Sequence, residues 1–219
     1  EHLSLLKSPT SRDKYQAVLN YAWKIKRGRD FSVTADYLRN DLEVNRKEIV
    51  DKGNERISHT TQQTDMLRIR PVFTTQTKHG ELGLGGEMQY VDYEDYIRNT
   101  SETEGLVSTM KGYQPALYAN YSSSYKQRLR YEVGIRYQGN LMDVKTMDVT
   151  NENKDWGFCP MVSLMYMANP QKGHILSLQY KRMMEELPYS VISTYKQYES
   201  PQTYVVGNPA LVSPTTDQL

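Results

Sequence analysis

One cysteine in 219 residues, Cys159, leaves no internal disulfide framework to build, and it reads as a small buried or half-buried side chain. Long apolar runs are missing too. The richest stretch, Phe158 to Ala168, is broken by Pro160 and Ser163 and falls far short of the ~20 residues a membrane helix needs. Charge of one sign is also absent: 27 basic and 26 acidic side chains leave a net +1, without the basic footprint that nucleic acid demands.

Histidine is scarce, and His2, His59, His79 and His174 are scattered without zinc-ligand spacing. Asp92, Glu94 and Asp95 lack the ordered donors and sharp-turn glycine of a calcium loop. The glycine run Gly83 to Gly86 has no following helix to cradle a phosphate and reads as a bend or a close strand contact. No catalytic residue, metal site or cofactor is expected. The chain opens Glu1-His2 with no initiator Met and no charged segment leading into an apolar run, so its native start is expected elsewhere.

Eighteen Tyr stand against three Phe, a choice of rings that set an apolar body against grease and a hydroxyl towards water. From Lys14 to Lys26 the odd positions Tyr15, Ala17, Leu19, Tyr21, Trp23 and Ile25 are all apolar or aromatic, while the even ones are mostly polar. From Arg128 to Gln138, Leu129, Tyr131, Val133, Ile135 and Tyr137 oppose Arg128, Arg130, Glu132, Gly134, Arg136 and Gln138. Period 2 means strand. Similar runs cover 31–38, 66–73, 82–90, 113–122 and 176–180, and 156–167 is apolar on both faces.

Short turn-like connections at 27–30, 78–80, 123–127 and 169–173 alternate with long polar ones at about 43–60, 99–111, 143–155 and 183–203. That rhythm predicts an all-β chain, an antiparallel up-and-down meander of about eight strands with its tight turns at one end. Many strands reach the ~9–11 residues of a tilted membrane strand, and no charge interrupts the apolar sets. The meander therefore reads as part of a transmembrane outer-membrane β-barrel, with lipid against the apolar face and a wet lumen inside. A soluble, secreted or periplasmic β-sheet module that binds a glycan or peptide would give the same alternation, with Leu129, Val133 and Ile135 buried in its own core.

The segment from His174 to Pro214 carries a more specific signal. Tyr180-Lys181-Arg182, Pro188-Tyr189 and Gly207-Asn208-Pro209-Ala210-Leu211 stand in register with a pattern of the outer membrane β-barrel family, the TonB-dependent receptors of Bacteroidetes type, which this chain resembles from about Tyr113 to Leu211. Leu187 stands where the family usually has Arg, so no role of that Arg passes to it, and Val191-Ile192-Ser193 replaces the family's Leu-Asn-Pro element.

The resemblance implies that residues 1–219 are a partial barrel domain, with a plug domain upstream and further strands downstream. It also implies outer-membrane lipid, a TonB-type energy transducer and an unknown solute, a glycan, peptide or metal chelate, as partners. The ending from Thr203 to Leu219 reads as the start of another strand. With the short turns periplasmic, Tyr93, Tyr96 and Arg98 in one outer loop and Tyr189, Tyr195 and Tyr198 in another are ligand-contact candidates. Tyr21, Trp23, Tyr121 and Tyr166 are candidates for the aromatic belt at the membrane boundary.

Overall fold

A computed structural model describes residues 10–26, 28–50, 54–99, 106–126, 128–146, 149–169, 171–192, 196–198, 204–208 and 210–219. Eight long strands follow one another: β1 (Thr10–Lys26), β2 (Arg29–Val50), β3 (Asn54–Gln76), β4 (Gly80–Asn99), β5 (Leu106–Tyr125), β6 (Leu129–Thr146), β7 (Val149–Asn169) and β8 (His174–Met184). A one-turn helix, α1 (Tyr189–Ile192), and two short strands, β9 (Lys196–Tyr198) and β10 (Tyr204–Val206), precede a final strand, β11 (Thr215–Gln218). The main sheet runs β1-β2-β3-β4-β5-β6-β7-β8-β11, every neighbour antiparallel, and β9 pairs with β10 alone. Each long strand thus bonds to the next in sequence, as a meander requires. The expected up-and-down architecture is what forms.

Tight turns close one end of the sheet. Gly28 (φ 78°) and Gly173 (φ 68°) take the left-handed backbone that side chains with a Cβ resist. Register is continuous over most of the sheet, with irregularities near Lys24/Lys26 in β1 and Met167/Asn169 in β7. In β6 the residues of the outward set, Val133, Ile135 and Tyr137, are exposed, while Asn140, Met142 and Val144 of the opposite set are buried.

The outward face changes chemistry at one level. Going away from the tight turns, the unbroken apolar run of each strand ends at Tyr15, Tyr37, Leu67, Tyr90, Tyr113, Leu141, Trp156 and Tyr180. The next outward residue in those strands is Asp13, Arg39, Asp65, Asp92, Lys111, Asp143, Lys154 and Arg182, charged in every case. Three hydroxyls at this level reach a carboxylate: Tyr37 donates to Asp65 at 2.6 Å, Tyr90 to Asp92 at 3.0 Å and Tyr180 to Asp217 at 2.9 Å. Rings below and hydroxyls above is the arrangement that amphipathic aromatics adopt between grease and water.

Below that level the outward face is a continuous apolar belt. Leu19, Leu117 and Leu176 are 71%, 71% and 65% exposed, far beyond what a soluble sheet with its own core would leave open. Tyr15 to Ile25 rises ~33 Å along the strand at ~3.3 Å per residue, or ~25 Å along the normal at a ~40° tilt, which is the height of an outer-membrane apolar band.

Three of the long polar connections expected from sequence are largely strand. β2 and β3 stay paired as far as Val50 and Asn54, β4 and β5 as far as Ile97 and Leu106, and β6 and β7 as far as Thr146 and Val149. Beyond the charged row the outward face is wet, so hydrophobic alternation fades while the hydrogen-bond ladder continues. The buried apolar cluster lies on the inner face of this upper part, where Met110, Met142 and Val144 meet Ile192, with Val91, Tyr93 and Leu187 packed against them.

Candidate functional site

The inner face at the level of the apolar belt is mostly polar from β2 to β6, and charged side chains pair there across strands. Asp36 of β2, buried, accepts from Arg68 at 3.2 Å and Arg70 at 2.9 Å, both on β3. Arg136 of β6 donates to Glu87 at 3.1 Å and to Gln138 at 2.6 Å, with its guanidinium 5.9 Å from the Tyr118 ring centre. A glycine makes the Tyr118 contact possible: a Cβ on Gly85 would stand 2.1 Å from Cζ of that ring. The close strand contact expected of the glycine run is thus present, and it braces a lumen-facing arginine.

A ladder of amides crosses the strands one level higher. Gln89 donates to Gln114 at 2.6 Å, Gln114 to Asn140 at 3.4 Å, and Asn140 to the Ser213 hydroxyl at 2.9 Å. The Ser213 amide in turn donates to Asp155 at 2.7 Å. The ladder therefore runs from β4 through β5 and β6 into the connection between β8 and β11, and ends on β7. Hydrogen bonding at each step is what lets Gln89, Asn140 and Ser213 be buried.

Residues 185–192 and 210–214 of that connection lie along the inner face of the wall. Pro188 accepts from the Val191 amide at 3.0 Å and opens the α1 turn, which sets Ile192 on Met110, Met142 and Val144. Asn208 donates its amide to Val191 at 2.8 Å, and its side chain accepts from the Ala210 amide at 3.0 Å. This Asx turn carries Leu211 to Pro214 across the inner face, where Asn153 donates to the Leu211 carbonyl. The Glu185 amide donates to the Pro214 carbonyl at 2.8 Å, closing the connection at its base. Beyond it β11 pairs with β8, and Asp217 receives Arg182 at 2.7 and 2.9 Å together with the Tyr180 hydroxyl.

The motif residues thus acquire distinct places. Tyr180 and Arg182 clasp β11, Pro188 starts the helix turn, and Gly207 and Asn208 form the return bend. Pro209, Tyr195 and the side chains of Tyr189 and Tyr198 lie outside the described residues. The candidates Tyr93, Tyr96 and Arg98 do not converge. Strand alternation puts Tyr93 on the inner face against the apolar cluster, while Tyr96 and Arg98 point outward above the charged row. Tyr21, Trp23, Tyr121 and Tyr166 all stand on the apolar outward face nearer the tight turns, opposite Val33, Phe31, Val133 and Leu129. Reading the sequence missed Asn140, Asp155, Ser213 and Asp217, because nothing local ties a residue to a partner 58 or 73 positions away.

Asp95 does not share the exposure of Glu94 beside it. It lies above the belt on the inner face, 2% exposed, and its Oδ1 has no hydrogen-bond partner. Burial pushes its carboxyl up to about 6, opposed by a hydrogen bond from Gln62. Cys159 is buried and unpaired. Among the described residues no group of three His, Cys, Asp or Glu side chains could hold a metal ion.

An apolar outer belt, a charged rim and a polar inner wall together define an outer-membrane β-barrel wall. Residues 23–219 match the outer membrane protein beta-barrel family, and the chain belongs to it. Its place is the outer membrane of Gram-negative bacteria. Among solved structures it is similar to the ferric citrate transporter FecA in its unliganded form, at 12% identity and a TM-score of 0.55 over 80% of this chain and 28% of that one. It is also similar to BauA, the ferric preacinetobactin receptor of Acinetobacter baumannii, at 12% identity and 0.52 over 91% and 34%. The chain therefore spans about a third or less of those receptors, and the likeness is one of fold. Sequence comparison with characterised proteins returns no match.

Proposed function

We propose that this chain is a segment of barrel wall in a TonB-dependent receptor that takes up a solute too large for porins. The observation that carries the reading is the two-sided wall: an apolar belt outside and, inside, buried charged and amide side chains paired across strands. Such an inner surface suits a lumen occupied by protein and passing solute. In the whole receptor a plug domain would fill the lumen and a TonB-type transducer would pull on it. This segment contributes wall, inward connection and outer hairpins, and no catalytic group. A glycan, a peptide or a metal chelate is the solute class to test, with Tyr93 the wall-facing member of the ligand-contact candidates and Tyr96 and Arg98 on the hairpin's outward side. The aromatic belt nearer the tight turns falls to Tyr21, Trp23, Tyr121 and Tyr166.

The test is uptake of a labelled panel of oligosaccharides, peptides and ferric chelates by cells with and without the parent gene, and with the transducer deleted. The receptor reading expects one class to be taken up only when both are present. Uptake that survives loss of the transducer would leave a passive or structural barrel instead.

A further inference from the structure

We propose that the inner wall at the tight-turn end of β6, β7 and β8 is a binding site for an amphipathic carboxylate, with Met165, Met167 and Ile175 taking the apolar body and Arg128 and Arg130 the charge. This goes beyond the uptake reading, since the site belongs to the wall whether or not a transducer drives transport.

A lumen wall that meets water is polar, and the inner face of β5 near this end follows that rule with Asn120, Ser122 and Ser124. β7 and β8 depart from it. Strand pairing sets Met165 beside Arg130 of β6 and Ser177 of β8, and Met167 beside Ile175, all on the inner face. Met165 is 44% and Ile175 53% exposed there. Apolar side chains left open as a group mark a contact surface. With Ser124, Arg128 and Arg130 they line a cavity of about 360 Å³, a size that suits a small molecule. Methionine chains adapt to apolar bodies of varied shape.

Charge selects the sign of the guest. Arg136, further along β6, is engaged by Glu87 and Gln138, whereas neither the Arg128 nor the Arg130 guanidinium has an ion-pair or hydrogen-bond partner among the described residues. Glu132 is the next carboxylate on this face of β6, opposite Ser122 and Ser163, and Lys172 stands exposed in the turn between β7 and β8. The surroundings therefore stay cationic. Arg128 is placed by its backbone: its carbonyl accepts from the Met167 amide at 2.8 Å and its amide donates to Tyr125 at 3.1 Å. The turn carries one arginine to the cavity and β6 carries the other. Guanidinium forks match the paired oxygens of a carboxylate.

Octanoate is the probe, being anionic at one end, apolar at the other and free of micelles at millimolar concentration. The full-length protein in lipid nanodiscs, with empty nanodiscs as the blank, should bind it saturably by calorimetry. Methyl NMR should show the Met165 and Met167 signals moving with the same midpoint. Octyltrimethylammonium, with the same chain and the opposite charge, should move neither. Arg128→Gln with Arg130→Gln should weaken octanoate binding by about tenfold or more, and Met165→Gln by about threefold or more. In a Cys159→Ser background, the thiol of Met165→Cys should react with a water-soluble methanethiosulfonate and be protected by octanoate. Octanoate that binds no better than octyltrimethylammonium, or equally well in the arginine variant, would overturn the proposal. A thiol that the reagent cannot reach would do so too, since another segment of the parent chain would then cover the patch. Should the arginine variant fail to fold, the methyl shifts and the protection measurement still decide. Loss of transducer dependence would leave these results untouched, so the two readings fail separately.

Discussion

Asp95 shows what a single buried carboxylate does to this wall. Its folded-state acid strength is weakened to about 6 from the ordinary 3.8, by burial. The folded protein therefore holds that proton more tightly than the unfolded chain, and the stability tied to the neutral form is present below about pH 4 and lost as pH rises through 6. Asp95→Asn, which cannot ionise, is expected to be more stable at pH 8 by at most ~3 kcal/mol, at ~1.4 kcal/mol per unit, and so to melt at a higher midpoint. At pH 4 the two proteins should melt together. Equal midpoints at pH 8 would show that the carboxylate stays hydrated. Gly85 makes the complementary point for packing: Gly85→Val would drive a side chain into the Tyr118 ring and loosen Arg136 from its bracing. Circular dichroism melts should show destabilisation of the overpacking kind, ~1–3 kcal/mol.

In the strands, parity is what the sequence displays most legibly. The Tyr15 to Ile25 and Leu129 to Tyr137 faces could be read because lipid and lumen impose opposite chemistries on alternate residues, with the whole apolar set on one side. At the level of Asp143 and Lys145, β6 turns its apolar residues, Met142 and Val144, inward. The alternation there changes sign, which is why the upper hairpins read as polar loops. The residues that depart from the family pattern have a physical place in the structure: Leu187 and Ile192 both pack in the apolar cluster under the connection. Met142→Ala, which empties that cluster, is expected to cost ~2–5 kcal/mol by equilibrium unfolding. A cost near zero would mean that the cluster collapses around the gap. Asp217, by contrast, was invisible in the sequence, since only pairing of β11 with β8 brings it to Tyr180 and Arg182.

The molecule as a whole is a wall with two solvents, lipid outside and water or protein within. That requirement explains why a chain with a nearly balanced charge and no long apolar run can live in a membrane: its apolar residues are spread at every second position of eight strands. It also sets a sharp asymmetry for substitution. Leu117→Arg, in the middle of the belt and 71% exposed, should cost ~2–4 kcal/mol for folding into vesicles. Asn120→Arg on the inward face of the same strand should fold with little loss.

The most direct measurement is a nitroxide scan along β6, residues 129–145, in lipid vesicles, reading collisions with oxygen and with a water-soluble nickel complex at each position. Lipid contact is expected at Val133, Ile135, Tyr137 and Leu141. Oxygen accessibility should alternate with period 2, and the outward positions should turn water-accessible at Asp143. If Val133, Ile135 and Tyr137 are shielded from both probes, the outward face is a protein core and the membrane-wall account is wrong.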